Sequence, residues 1–184
     1  MLDDAYVSQN GSRSINTNAV RVAGIVNDSI VDGPGIRLAV FAQGCSHNCP
    51  GCHNPHTHPF DAGKNVSIDE IMQMINKNPL LDGVTLTGGE PFEQASSFAV
   101  LARMVKDKGL NVVTYTGYTW EQIIENMQKR EGWHELLANT DILVDGPFDI
   151  SRKSLNLRYR GSSNQRVIDV KKSLEKGEII LWCE

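Results

Sequence analysis

The stretch GVTLTGGEPFEQASSFAVLARMVKDKGLNVVTYTG, residues 83–117, settles the fold class. Two strand-like runs, GVTLTGG (83–89) and LNVVTYTG (110–117), bracket a helix-length segment from about Phe92 to Lys108. Phe98, Leu101, Ala102 and Val105 recur at helical spacing and predict its buried face. Gly109 fits the C′ position, where a helix ends in a left-handed residue. A strand, a helix and a strand in this order form a right-handed unit whose two strands lie parallel.

The same alternation extends outward. Upstream, RVAGIV (21–26) and IRLAVFA (36–42) are strand-like and separated by NDSIVDGPG, where Gly-Pro-Gly must turn. Ser67 with Glu70 forms a capping box before an apolar face of Ile68, Ile71, Met72 and Ile75, and Pro79 ends that helix. Downstream, Thr119 and Gln122 make a second capping box, followed by strand candidates DILVDG (141–146), QRVIDV (165–170) and EIILWC (178–183). The expected fold is α/β, a partial, open parallel βα barrel of about five or six units, too short for the closed barrel of roughly 250 residues. Functional loops then belong at the C-terminal ends of the strands. Three unusual loops fall there: a Cys/His loop after residue 42, Gly88-Gly89-Glu90-Pro91, and Asp145-Gly146-Pro147-Phe148.

Composition narrows the classes. The 184 residues carry 18 Lys and Arg against 22 Asp and Glu, a net charge of −4, so no global field attracts nucleic acid or an anionic membrane. No apolar run approaches the roughly 20 residues of a membrane span. The N-terminus has Asp3 and Asp4 and no apolar core of a secretory signal, which points to the cytoplasm, where thiols stay reduced. Residues 1–18 read as a flexible leader without chemistry, and 19–184 as one domain. Trp120, Trp133 and Trp182 read as packing residues. Arg152, Lys153, Arg158, Arg160 and Arg166 make one basic stretch, either a docking surface or a solvated face.

QGCSHNCPGCHNPHTH, residues 43–58, concentrates Cys45, Cys49 and Cys52 with His47, His53, His56 and His58. Cys183 stands apart and reads as a buried free thiol. Three crowded thiols in a reducing compartment point to metal rather than disulfides. The spacing alone leaves two metals open: zinc, with a histidine as fourth ligand, or an iron–sulfur cluster with one iron left free. Gly88-Gly89-Glu90-Pro91 on its own is an ordinary strand-to-helix turn. Thr114 and Thr116 share a strand face and Asp145 ends a strand; each suits either a cofactor contact or plain strand and turn chemistry.

Taken together, Cys45-x-x-x-Cys49-x-x-Cys52 after a strand and Gly88-Gly89-Glu90-Pro91 after the next resemble the radical S-adenosylmethionine superfamily. VDGPGIR (31–37) ahead of GCSHNCPGCHN narrows the resemblance to the glycyl-radical activating enzymes. YTGY (115–118), LVDGPF (143–148) and RGSSNQRVID (160–169) are similar to the branch that serves anaerobic ribonucleoside-triphosphate reductase. The resemblance spans about residues 22–170. It implies one 4Fe–4S cluster on Cys45, Cys49 and Cys52, with S-adenosylmethionine chelating the fourth iron. It further implies cofactor contacts from Gly51, Cys52, His53, Gly88, Gly89 and the Glu90 carboxylate. No catalytic side chain is implied, since cluster and cofactor carry the chemistry: an electron passed to the sulfonium yields methionine and a deoxyadenosyl radical, which takes hydrogen from a glycine. The implied partners are the reductase large subunit, through a glycine near its C-terminus, and reduced flavodoxin or ferredoxin as electron donor. Two other enzymes share the motifs, a pyruvate formate-lyase activase and 7-carboxy-7-deazaguanine synthase. A non-enzymatic zinc or iron–sulfur module stands as the reading from a different class.

Overall fold

The computed structural model describes residues 17–183. The leader reading therefore lies outside the described residues, save for Thr17 and Asn18. Seven strands form one open sheet: β1 (Ala19–Ser29), β2 (Arg37–Ala42), β3 (Lys64–Ser67), β4 (Gly83–Gly88), β5 (Asn111–Tyr115), β6 (Ile142–Asp145) and β7 (Arg166–Asp169). Their order across the sheet is β3-β1-β2-β4-β5-β6-β7. Five helices accompany them: α1 (Ile68–Lys77), α2 (Ala95–Asp107), α3 (Trp120–Asn126), α4 (Trp133–Ala138) and α5 (Val170–Lys176). Among the described residues no helix is long and apolar enough to cross a membrane.

The expected open α/β sheet is present, but its parallel part is narrower than five or six units. Only β2–β4, β4–β5 and β5–β6 pair in parallel, whereas β1–β2, β1–β3 and β6–β7 are antiparallel. The reason is connection length and content: parallel neighbours need a helical crossover of a dozen residues or more. The link from β1 to β2 is a short Gly-Pro-Gly turn, and the β6–β7 link holds only a 3-10 turn at Ile150–Arg152. The segment 178–183 is no strand. It lies along β7 through Asp169 N to Ile180 O (2.9 Å), Trp182 N to Val167 O (2.8 Å) and one bridge from Ile168 to Leu181. The sequence did not signal β3, because only Val66 of its four residues is buried.

Alternation along each strand gives the sheet two unlike faces. Leu38, Val40, Val84, Leu86, Val112, Leu143 and Ile168 join Ile71, Phe98, Leu101 and Leu136 from the helices in the main core. Residues of opposite parity, Val113, Ile142 and Val144, form a smaller cluster with Tyr115, Val167 and Trp182. The start of the sheet is fastened by Arg37, which is fully buried. Its Nε donates to Thr85 Oγ1 (3.1 Å), and its amino groups donate to Val84 O (2.8 Å), Pro34 O (3.2 Å) and the Asn111 side chain. Loss of hydration pushes this guanidinium down to about 10. It pins the Gly-Pro-Gly turn against β4 and β5, and the opposite ends of β2, β4, β5 and β6 converge on one rim.

Candidate active site

The Cys/His loop leaves β2 and returns on itself through backbone hydrogen bonds. Gly44 N donates to Thr57 O (2.8 Å) and Cys45 N to His58 O (3.0 Å), while the Gln43 amide donates to Pro59 O (2.6 Å) and His56 O (3.2 Å). Inside this ring, Cys52 N donates to Cys49 O (3.1 Å), with Asn48 (φ 47°) and Gly51 (φ 72°) left-handed. Cys45, Cys49 and Cys52 are all free thiols, partly buried, and line one cavity of about 130 Å³.

Burial pushes the Cys45 and Cys49 thiols up, and amide donors pull against it. The donors come from His47 and Asn48 at Cys45 and from Phe148 at Cys49, while Asn54 N donates to Cys52 Sγ at 3.4 Å. Amides aimed at sulfur are what cluster-ligating thiolates require, because those hydrogen bonds help set a cluster's potential. Among the described residues no three Cys, His, Asp or Glu side chains converge as a site for a single ion. Three free thiols lining one cavity, with amide donors beside them, are a donor set that fits a cluster.

Gly88 and Gly89 form the facing wall. A Cβ on Gly88 (φ 89°) would stand 2.7 Å from Phe41 Cα, and one on Gly89 would stand 2.4 Å from Gly44 O. Glycine is required there because Gly89 N donates to Ala42 O (2.8 Å) and Glu90 N to Gly44 O (2.9 Å), stitching the turn to the cysteine loop. Glu90 does not line the cavity. Its side chain is fully buried behind the glycines, with Oε1 accepting from Phe92 N (3.0 Å) and Thr116 Oγ1 (2.9 Å). Oε2 accepts from Gly117 N (2.8 Å) and lies 2.8 Å from His47 Nε2. Four protein donors thus occupy its acceptor sites.

A second lobe of about 490 Å³ adjoins the thiol cavity, and both are lined by Thr87, Tyr115, Phe148 and Gln165. His53 belongs to this second lobe, its ring 4.7 Å from that of Phe148. Gly51 lines neither lobe; the Ile150 side chain packs where its Cβ would be. A cavity of about 500 Å³ beside Arg21, Arg130 and Trp133 contains none of the thiols. Sequence reasoning passed over Thr87, Tyr115 and Gln165 as site residues, and named His47 only as one of four histidines that could complete a zinc site. The available signal was strand alternation, since Thr87 and Tyr115 have the parity of the smaller cluster's face. Burial holds the Tyr115 phenol well above its ordinary value, so it acts as a neutral hydroxyl.

Most other candidates lie outside the cavity. Thr114 bonds Thr140 (2.8 Å) on the helix-covered face, whereas Thr116 lines the thiol cavity and donates its hydroxyl to Glu90 (2.9 Å). Asp145 is buried, accepting from Trp120 N (2.7 Å) and from Arg166 Nε (3.0 Å). Arg166 also clasps both oxygens of Glu121 at 2.9 Å. Arg160 donates to Gln165 O (2.7 Å) and borders the second lobe, while Arg152, Lys153 and Arg158 are exposed. His56 is exposed, and His58 reaches the edge of the thiol cavity. Cys183 is exposed rather than buried, because its segment continues past β7 without entering the sheet. Trp120 and Trp133 are core residues.

Comparison with known proteins adds sequence-wide findings. A family described as "4Fe-4S single cluster domain" matches residues 31–168. An anaerobic ribonucleoside-triphosphate reductase-activating protein of Pasteurella multocida is 36% identical over 149 residues, covering 74% of this chain and 89% of that protein. A pyruvate formate-lyase-activating enzyme of Clostridium pasteurianum is 32% identical over 130 residues, covering 67% of this chain and 50% of that one. Among solved structures, QueE from Escherichia coli aligns over 55% of this chain and 54% of its own, with 16% identity and a TM-score of 0.44.

Proposed function

The chain belongs to the 4Fe-4S single cluster domain family, among the anaerobic ribonucleoside-triphosphate reductase-activating proteins, and from that premise we propose how its own residues perform the activation. It is a radical S-adenosylmethionine activase whose partner is the anaerobic reductase. When bound, the cluster and S-adenosylmethionine would supply the one-electron chemistry that removes a hydrogen atom from a glycine of the reductase.

Cys45, Cys49 and Cys52 hold three irons of the cluster, and the fourth is left to the cofactor. The observation that carries this assignment is the opening of all three thiols, with their amide donors, onto one cavity walled by Gly88 and Gly89. The two glycines let backbone approach the cofactor's amino and carboxylate groups, with Glu90 acting from behind them. Cys52 lines the thiol cavity and His53 the second lobe, while Gly51, next to them in the chain, packs against Ile150. That lobe, bordered by Tyr115, Phe148 and Arg160, is large enough for the nucleoside and for an incoming backbone segment. Its neutral phenol and mostly uncharged lining suit a reaction that moves a hydrogen atom rather than a proton.

The finer partners are those that the family resemblance implies. The reductase presents a glycine near its C-terminus, reduced flavodoxin or ferredoxin delivers the electron, and the protein works in the cytoplasm, where the thiols stay reduced. Anaerobic reconstitution tests the reading: about four irons and four sulfides per chain, and deoxyadenosine released on adding reductant and S-adenosylmethionine. Zinc without sulfide in the freshly isolated protein supports the non-enzymatic module instead. Deoxyadenosine release without any effect on the reductase points to another glycyl-radical enzyme as substrate.

A further inference from the structure

We infer that His47 is a positioning residue that clamps the cysteine loop to the far wall of the cavity through Glu90; this rests on the radical S-adenosylmethionine reading above. His47 sits between Cys45 and Cys49, yet its ring turns back toward the end of β5. Nε2 lies 2.8 Å from Glu90 Oε2, a hydrogen bond in which the ring nitrogen is assigned as the donor. The same oxygen accepts from Gly117 N at 2.8 Å. One buried oxygen therefore joins the two walls, the loop bearing the thiols and the turn after β5.

The fit around the ring is close and specific. A Cβ on Gly117 would stand 2.4 Å from His47 Cδ2, so only glycine leaves room for the imidazole. Tyr118 meets the ring edge-on, centroids 4.4 Å apart, and its hydroxyl donates to Glu93 Oε1 at 2.7 Å. Ser46, the residue before His47, donates to that same oxygen at 2.7 Å. The cysteine loop is thus tied to the Glu90–Glu93 turn by two adjacent side chains, and to β5 by Glu90. Removing the imidazole donor leaves the fully buried Glu90 with three donors instead of four, and the loop bearing the thiols loses its tie to that carboxylate. Distances between the cluster and the cofactor depend on those walls, so cofactor affinity responds before cluster content does.

The test uses the full chain reconstituted anaerobically, with three readouts: iron and sulfide content, S-adenosylmethionine affinity by equilibrium binding, and the change the cofactor causes in the reduced cluster's EPR spectrum. His47→Phe keeps a ring against Gly117 and Tyr118 but donates nothing. It is expected to retain the cluster, bind the cofactor about ten-fold more weakly and lose most of the spectral change. His47→Gln places an N–H near the same point and should stay within about two-fold of the parent. Gly117→Ala displaces the ring from the other side and should resemble His47→Phe. In a His47→Ala background, Gly117→Ala should add nothing, since no ring remains to displace. Parental affinity and spectrum in His47→Phe overturn the inference while leaving the activase reading intact. If His47→Phe fails to fold, equal Gly117→Ala effects with and without the imidazole overturn it instead. A parent that holds the cluster but shows no response to the cofactor overturns the reading beneath it.

Discussion

Each thiol of the Cys45, Cys49 and Cys52 set sits beside an amide donor, whereas Cys183 is exposed near the chain's end. Replacing any one of the three by Ala is expected to remove most iron and sulfide after reconstitution, and Cys183→Ser to leave both unchanged, as chemical analysis per chain will read. These cysteines were legible in the sequence because their chemistry lies in residue type and local spacing. So were Gly88 and Gly89, whose lack of a side chain is itself the signal. Glu90 was expected as a cofactor contact, but its side chain lies buried behind the glycines, where His47, Thr116 and Gly117 reach it from 43, 26 and 27 residues away. His47 was legible only as one of four possible zinc ligands, because the groove left by Gly117 exists only after folding. Tyr115 was missed in favour of Thr114 and Thr116, since both faces of β5 carry apolar residues and the sequence does not say which face helices cover.

At the level of elements, the crossovers decide what could be foreseen. α1 and α2 were legible from apolar spacing and from their ends: Ser67 accepts from Glu70 N, and Gly109 is left-handed at φ 79°. Phe98 on α2 is fully buried, so Phe98→Ala is expected to destabilise the fold by about 3–5 kcal/mol, read by urea unfolding. Strand direction was less legible for β1 and β7, because nothing local marks a strand as antiparallel. β7 is fastened instead by Arg166, which grips Asp145 at the end of β6 and Glu121 on α3. The hydrogen bonds from Arg166 hold the Glu121 carboxyl down to about 2, below its ordinary 4.5. A carboxyl depressed in the folded state stabilises above its ordinary value and loses that contribution as pH falls toward the depressed one. Glu121 is 61% exposed, so solvent screens most of the gain. Glu121→Gln is expected to be less stable at pH 7 by under about 1 kcal/mol, with the gap closing between pH 4.5 and 2 in urea unfolding series.

Across the whole molecule, one sheet face is filled by helices and the other keeps a cavity at the rim where β2, β4, β5 and β6 end. The thiols line one lobe and His53 and Arg160 border the other, and Tyr115 and Phe148 line both, which is where the proposed reaction would bring cluster and partner segment together. The open edge follows from having only four parallel strands: a closed barrel would shut out a protein substrate, whereas this sheet leaves its inner face accessible. The most direct test mixes the reconstituted protein anaerobically with reductant, S-adenosylmethionine and the anaerobic reductase, and records EPR on the reductase after the two are separated. The account predicts a glycyl-radical doublet on the reductase that requires all three components and disappears with Cys49→Ala. A cluster-loaded protein that cleaves S-adenosylmethionine and leaves the reductase without a radical would contradict it.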